Sequence, residues 1–175
     1  VDIRLPDPSL VLLVGAAGAG KTTFAARHFE PAAVIASDAL RARISGDAAD
    51  QRATRPAFAI LHEAVARRLA AGRLTVVDAT NVQSHARRAL IARARAAGVP
   101  VVAIVLDLPA PLVVERNAAR AGRVVATEVV SRQLGDLARS LNGGALEAEG
   151  FDAVHRLRTT HDVDHVRVGR VAAPG

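Results

Sequence analysis

Hydrophobic positions along the chain follow two alternating rhythms. Short, nearly unbroken apolar runs occur at Leu10–Val14, Ala33–Ala36, Leu74–Asp78 and Val101–Asp107, with Val154–Leu157 as a fifth. Runs of that length, bounded by glycine or polar residues, predict buried strands of a parallel sheet. The segments between them carry helical spacing. One helix is predicted to begin near Lys21 and fade by Phe29–Pro31. A second begins at Thr54 and places Phe58, Leu61, Val65 and Leu69 on one face, with Pro56 at its start and Gly72 past its end, the usual polarity of helix punctuation. Ser84 is expected to cap a third helix reaching Gly98, and Pro111 to Ala121 reads as a fourth. Thr127 is expected to cap a fifth, in which Val130, Leu134, Leu137 and Leu141 recur at helical spacing before Asn142-Gly143-Gly144 ends it. The tail past Val168 is expected to fray.

Strands that alternate with helices imply right-handed crossovers and a parallel sheet covered on both faces. The predicted fold is therefore α/β, about five parallel strands between helices; the Gly15-Ala16-Ala17-Gly18-Ala19-Gly20-Lys21-Thr22 loop after the first of them marks the sheet as P-loop NTPase-type, with a helical lid expected over it. No internal repeat or linker divides the chain, so residues 1–170 read as a single domain and 171–175 as a loose tail. Ligands of such sheets gather at the carboxyl ends of the strands. Those ends carry Gly15, Ser37-Asp38, Asp78 and Asp107.

Composition narrows the chemistry. The chain has no cysteine, which excludes disulfides and thiolate metal sites. No apolar run is long enough to span a membrane, and no signal pattern stands at the N-terminus, so no membrane partner is expected and the cytoplasm is the expected compartment. The formal charge is +6, carried almost wholly by arginine, because Lys21 is the only lysine. A basic surplus suits an anionic partner, although many basic surfaces are simply solvated. With four phenylalanines as the only aromatic residues, a polynucleotide would be held chiefly by arginine–phosphate contacts rather than by base stacking.

Gly15-Ala16-Ala17-Gly18-Ala19-Gly20-Lys21-Thr22 fits G-x-x-x-x-G-K-[ST] in its required setting of strand, loop and helix. Gly15, Gly18 and Gly20 let the backbone turn tightly and aim N–H groups, that of Ala19 included, at a phosphate. The helix opening at Lys21 adds the positive end of its dipole. Lys21 reaches the β- and γ-phosphate oxygens of ATP, the Thr22 hydroxyl can ligate Mg²⁺, and Thr23 joins the candidate nucleotide contacts. A chance glycine-rich turn is the bland alternative, and the match of four positions in context argues against it. A second lysine, which guanine recognition would need, does not exist here. Ala79, rather than a water-activating glutamate, follows Asp78. The pattern suits transfer of phosphate to a hydroxyl group.

On the acceptor side, Asp38 ends the second strand and Arg41 lies three residues on. A carboxylate there can take the proton of an attacking hydroxyl, and the arginine can hold an anion on the acceptor; an ordinary capping aspartate with a solvated arginine is the alternative. Asp78 can hold Mg²⁺ through water or simply order its turn, and Asn81 can contact phosphate. Arg116 and Arg120, at i and i+4, repel each other unless an anion lies between them. With Arg123 they suit a lid over a triphosphate. The six histidines show no convincing metal spacing, and His161 and His165 read as surface residues.

Gly15–Thr22, Ser37-Asp38-Ala39-Leu40-Arg41, Asp50-Gln51, Val76-Val77-Asp78-Ala79-Thr80-Asn81-Val82 and Arg116-Asn117-Ala118-Ala119-Arg120 occur in that order. Together they resemble the 5′-hydroxyl polynucleotide kinase module of bacterial end-healing (polynucleotide kinase-phosphatase type) enzymes, over roughly Leu10 to Arg158. The resemblance implies that Lys21 and Thr22 hold ATP·Mg²⁺, that Asp38 is the general base, and that Arg41 grips the phosphate beside the acceptor nucleotide. It further implies lid contacts to ATP from Arg116, Arg120 and Arg123, and an acceptor contact from Gln51. The substrate would be a 5′-OH end of DNA or RNA. The fused phosphatase and ligase domains of some such enzymes have no counterpart here, and Val124-Val125-Ala126 lacks the aromatic character of the family's lid. Two rivals remain: a P-loop kinase acting on a metabolite or antibiotic hydroxyl, and a nucleotide-sensing module that transfers nothing.

Overall fold

The computed structural model describes residues 1–47, 51–122 and 124–173, with only the backbone of Gln51. Five strands form a parallel sheet: β2 (Leu10–Val14), β3 (Val34–Ala36), β4 (Thr75–Asp78), β5 (Val101–Leu106) and β6 (Ala153–Leu157), after a separate first strand, β1 (Asp2–Asp7). The spatial order is β3-β4-β2-β5-β6, so β2 is central and pairs with β4 on one side and β5 on the other. All five residues of β2 are fully buried. Alternation sends Val11 and Leu13 into the core on one face of the sheet and Leu10, Leu12 and Val14 into the core on the other.

Among the described residues, seven α-helices surround the sheet. The first face packs against α1 (Lys21–His28) through Phe24 and Ala25 and against α5 (Ala110–Ala118) through Val113. The opposite face packs against α3 (Thr54–Ala70) through Leu61, Val65 and Leu69, and against α4 (Ser84–Ala96) through Leu90, Ile91 and Ala94. Fully burying a Leu or Val side chain stabilises by about 1.5–3 kcal/mol, so these stripes hold the layers together. Helix α6 (Thr127–Leu141) contributes Val130 to the first core and Leu137 to the second. Helix α2 (Ser37–Ser45) and the short α7 (Thr160–His165) flank the carboxyl edge.

Three expectations are corrected. The segment from Val168 to Ala172 does not fray: β7 (Arg167–Ala172) pairs in parallel with β1, from Asp2↔Arg167 to Asp7↔Ala172, and Ile3 and Leu5 bury their side chains beneath the pair. This two-stranded sheet was legible as alternation at Ile3-Arg4-Leu5 but is too short to stand without its distant partner. Ser84 and Thr127 do not cap their helices; each is the first helical residue, after Gln83 and Ala126, and neither helix has a side-chain cap. Helix α5 stops at Ala118 rather than Ala121, because the Asn117 side chain turns to the backbone of Val125 and the Arg120 N–H bonds the Asn117 carbonyl.

Candidate active site

The P-loop leaves the end of the central strand and enters α1 at Lys21. Gly18 and Gly20 adopt left-handed φ values of +90° and +95°, a region open to glycine at little cost. Gly18 has a second constraint: a Cβ there would lie 2.4 Å from the Val113 carbonyl oxygen. The loop thus packs its backbone directly on α5. The Ala17 N–H donates to Gln133 Oε1 of α6 at 2.8 Å, and the Gly15 N–H donates to the Thr80 carbonyl at 2.9 Å. Helices on one side and the loop after β4 on the other therefore hold the cradle in shape.

Lys21 is buried, and its ammonium donates to the carbonyls of Gly15 (2.8 Å) and Ala16 (2.9 Å). Beside it the Thr22 hydroxyl donates to Asp78 Oδ2 at 2.8 Å. The sheet register produces this pairing, because Asp78 sits opposite Leu13, one residue short of the end of β2. A hydroxyl and a carboxylate are hard oxygen donors, and two of them beside a phosphate cradle suit Mg²⁺, which keeps several waters and borrows phosphate ligands. No group of three or more His, Cys, Asp or Glu with metal-binding geometry occurs among the described residues.

A cleft of about 660 Å³ opens above the P-loop. Its walls bring together Lys21, Thr22, Thr23, Asp38, Arg41, Asp78, Asn81, Arg116 and Arg120. Asp38 and Arg41 form an ion pair in α2, where they are i and i+3 on one face. Helix α2 starts at Ser37, so Asp38 is inside the first turn and is not the cap. Arg41 is 7% exposed, and desolvation pulls its pKa below the ordinary arginine value. Arg116 lies in the last turn of α5 with its guanidinium above the loop; a Cβ on Gly20 would lie 4.0 Å from Arg116 Nη1. Arg120 sits just beyond that helix, on the turn, and also faces the cleft. Asn81 lines the cleft, but its amide nitrogen donates to the Leu13 carbonyl at 2.8 Å and the Ala79 carbonyl at 3.4 Å. Gln51 and Arg123 lie outside the described side chains. Asp107 turns away from this cleft to pair with Arg156 at 2.9 Å.

Several cleft residues carry no sequence signal of their own. Val129, Arg132, Gln133 and Asp136 recur at i, i+3, i+4 and i+7 and present one face of α6 to the cleft. Asn117 is buried and grips Val125 through both main-chain groups, donating to its carbonyl at 2.7 Å and accepting from its N–H at 3.1 Å. Thr160, Val163 and Asp164 of α7 close the end near Thr23, and Asp164 pairs with Arg27 at 3.3 Å. The periodic face of α6 is the one signal that a sequence reading can extract, since its polar members alternate with the core positions.

No curated protein sequence matches the chain significantly. Among solved structures, a chain of the Pnkp1/Rnl/Hen1 RNA repair complex superposes with a TM-score of 0.68 at 21% identity, covering 83% of this chain and 47% of that one. The chain therefore spans about half the length of that relative. A sugar kinase from Janibacter sp. HTCC2649 superposes with a TM-score of 0.59 at 21% identity, over 86% of this chain and 85% of the other. A gluconokinase from Sinorhizobium meliloti 1021 gives 0.54 at 18% identity, over 91% and 87%. A family profile described as AAA domain matches residues 10–143. Because that match covers most of the chain, from the central strand through the P-loop to the end of α6, the chain belongs to the AAA domain family, with the fold of the P-loop kinases.

Proposed function

We propose that the protein is an ATP-dependent phosphotransferase that phosphorylates the 5′-hydroxyl end of DNA or RNA. The observation that carries this reading is the Asp38–Arg41 pair on α2, set in the same cleft as Lys21 and the P-loop. A donor phosphate on the P-loop faces that pair across the cleft. Asp38 accepts the proton of the attacking hydroxyl, the oxygen bonds to the γ-phosphorus, and ADP leaves with the electron pair of the broken bond. Arg41 then supplies the counter-charge for a phosphate on the acceptor, and its release from Asp38 frees the carboxylate to act. Lys21, Arg116 and Arg120 are placed to neutralise the transferring group. Thr22 and Asp78 would hold Mg²⁺, which when bound supplies charge neutralisation at the phosphates. Ala79 after Asp78 offers no side chain to activate water, in keeping with transfer to an alcohol.

The likeness to a chain of an RNA repair complex supports this reading. The sugar kinase and the gluconokinase, covered over 85% and 87% of their lengths, support instead a small polyol or sugar acid as acceptor. Incubation with Mg²⁺, γ-labelled ATP and a 5′-OH oligonucleotide separates the two. Label at the 5′ end, lost in Asp38→Ala, is the expected result. Label on gluconate or another small alcohol, and none on any strand, would transfer the assignment to the metabolite class.

A further inference from the structure

Arg87 is the largest fully buried side chain among the described residues, and it lies outside the cleft. It spends four N–H groups. Nε donates to Glu149 Oε2 at 2.7 Å and Nη2 to Glu149 Oε1 at 2.5 Å, while Nη2 also reaches Ser140 Oγ at 2.9 Å and Nη1 the Asn81 carbonyl at 2.8 Å. The Glu149 side chain is 5% exposed. One guanidinium from α4 therefore ties α6, the turn at Glu147–Glu149 and the loop after β4 together.

A buried ion pair is a poor stabiliser. Removing two charges from water costs about as much as their attraction returns, and a well-packed apolar pair is often as stable or more so. Its role must be sought in what it positions. Asn81 is the only non-glycine with positive φ among the described residues, at +49°, a conformation that costs roughly 1–2 kcal/mol in an ordinary L-residue. Its carbonyl would be orphaned without Arg87, and its side-chain amide is bonded to the Leu13 carbonyl of the central strand. The loop so held presents Thr80, Val82 and Gln83 to the cleft, on the same wall as Asn81.

We infer that the Arg87–Glu149 pair is a positioning device for the cleft: through the Asn81 carbonyl it fixes the wall from Thr80 to Gln83, which lines the cleft and steadies the P-loop through the Thr80 carbonyl. This rests on the phosphotransferase reading above. Arg87 touches no substrate and acts only through the loop.

The double variant Arg87→Met/Glu149→Leu tests it, because it removes both charges and leaves neither one buried alone. Its melting temperature should stay within about 5 °C of the parent. Hydrogen exchange in a peptide spanning residues 79–87 should quicken by about tenfold or more. With a 5′-OH oligodeoxynucleotide, kcat/KM should fall by about tenfold or more. Arg87→Lys, which keeps the charge and loses the fork, should share the loss of kcat/KM in part. Unchanged exchange, or kcat/KM within twofold of the parent, would overturn the inference. If the parent phosphorylates gluconate and no oligonucleotide, the polynucleotide reading fails, and the exchange and kcat/KM comparisons on gluconate decide this one independently.

Discussion

Thr22 Oγ1 and Asp78 Oδ2 are 2.8 Å apart, a hydrogen bond that joins the first turn of α1 to the end of β4 across 56 positions of sequence. The hydroxyl spends its one proton on the carboxylate, so the lone pairs of the Thr22 oxygen stay available to a cation. Asp78 is 6% exposed and its carboxylate is oriented by that bond. Thr22→Ser should keep most activity, while Thr22→Val should lower kcat by about a hundredfold by removing both the bond and the ligand. Steady-state assays over a Mg²⁺ titration check this: Thr22→Val and Asp78→Asn should both require more Mg²⁺, and chelation should abolish transfer in every form.

Lys21 is the only lysine in the chain, and no second lysine can substitute for it. In this structure it rests on the Gly15 and Ala16 carbonyls within the loop. Lys21→Ala should lower phosphoryl transfer by about 10²–10³-fold or more while leaving the circular dichroism spectrum unchanged. Near-normal turnover would remove Lys21 from the chemistry.

Gly18 meets two penalties at once, a φ of +90° and a position 2.4 Å from the Val113 carbonyl for any Cβ. Gly18→Ala must move α5 or the loop. It should cost on the order of 2–4 kcal/mol, which lowers the melting temperature by about 5–15 °C for a domain of this size. Thermal denaturation without nucleotide is the direct measurement.

Asn117 holds the base of the segment that carries Arg120, through paired bonds to Val125. Asn117→Ala should free that segment, and it also removes a buried amide whose partners are left unpaired. KM for ATP should rise by about tenfold, with a smaller change in KM for the acceptor. An equal rise for both substrates, or none, would show that Asn117 does not set the reach of the lid arginines.

Three histidines predict the acid side of the stability profile. His28, His62 and His155 all have pKa values lowered by burial, with Arg27 adding to the effect on His28 and Arg93 on His62. His28 Nε2 and His62 Nδ1 are buried without hydrogen-bond partners among the described residues. The folded state therefore takes up protons later than the unfolded chain. Their contribution is complete above the ordinary histidine value of 6.5 and is lost as the pH falls below it toward the folded values. The melting temperature should fall between about pH 7 and pH 5, and His62→Gln or His155→Gln should flatten that slope.

Much of this molecule is written locally. The P-loop is legible because its function is a backbone path: glycines at set spacing, a strand before and a helix after, with Lys21 and Thr22 at the first turn. Asp38 and Arg41 are legible for a similar reason, since i and i+3 share a face whatever the rest of the chain does. Helix starts were read less well. Ser84 and Thr127 look like caps, but the turn that orients each helix comes from the residue before. The end of the helix through Arg116 is not legible locally, because it depends on Asn117 reaching Val125.

What the sequence by itself determined is the five core strands and the main helices between them, the phosphate cradle at the end of the first core strand and the sign of the charge facing it. These rest on short-range geometry and on apolar periodicity. Only the tertiary structure decided which residues share the cleft: Asp78 beside Thr22, Gln133 on the Ala17 N–H, and Arg87 bound to Glu149 behind Asn81. It also decided that the two ends of the chain form a sheet. The reason is physical. Side-chain partners far apart in sequence are chosen by strand order, register and burial, and none of these leaves a pattern in the neighbourhood of either residue.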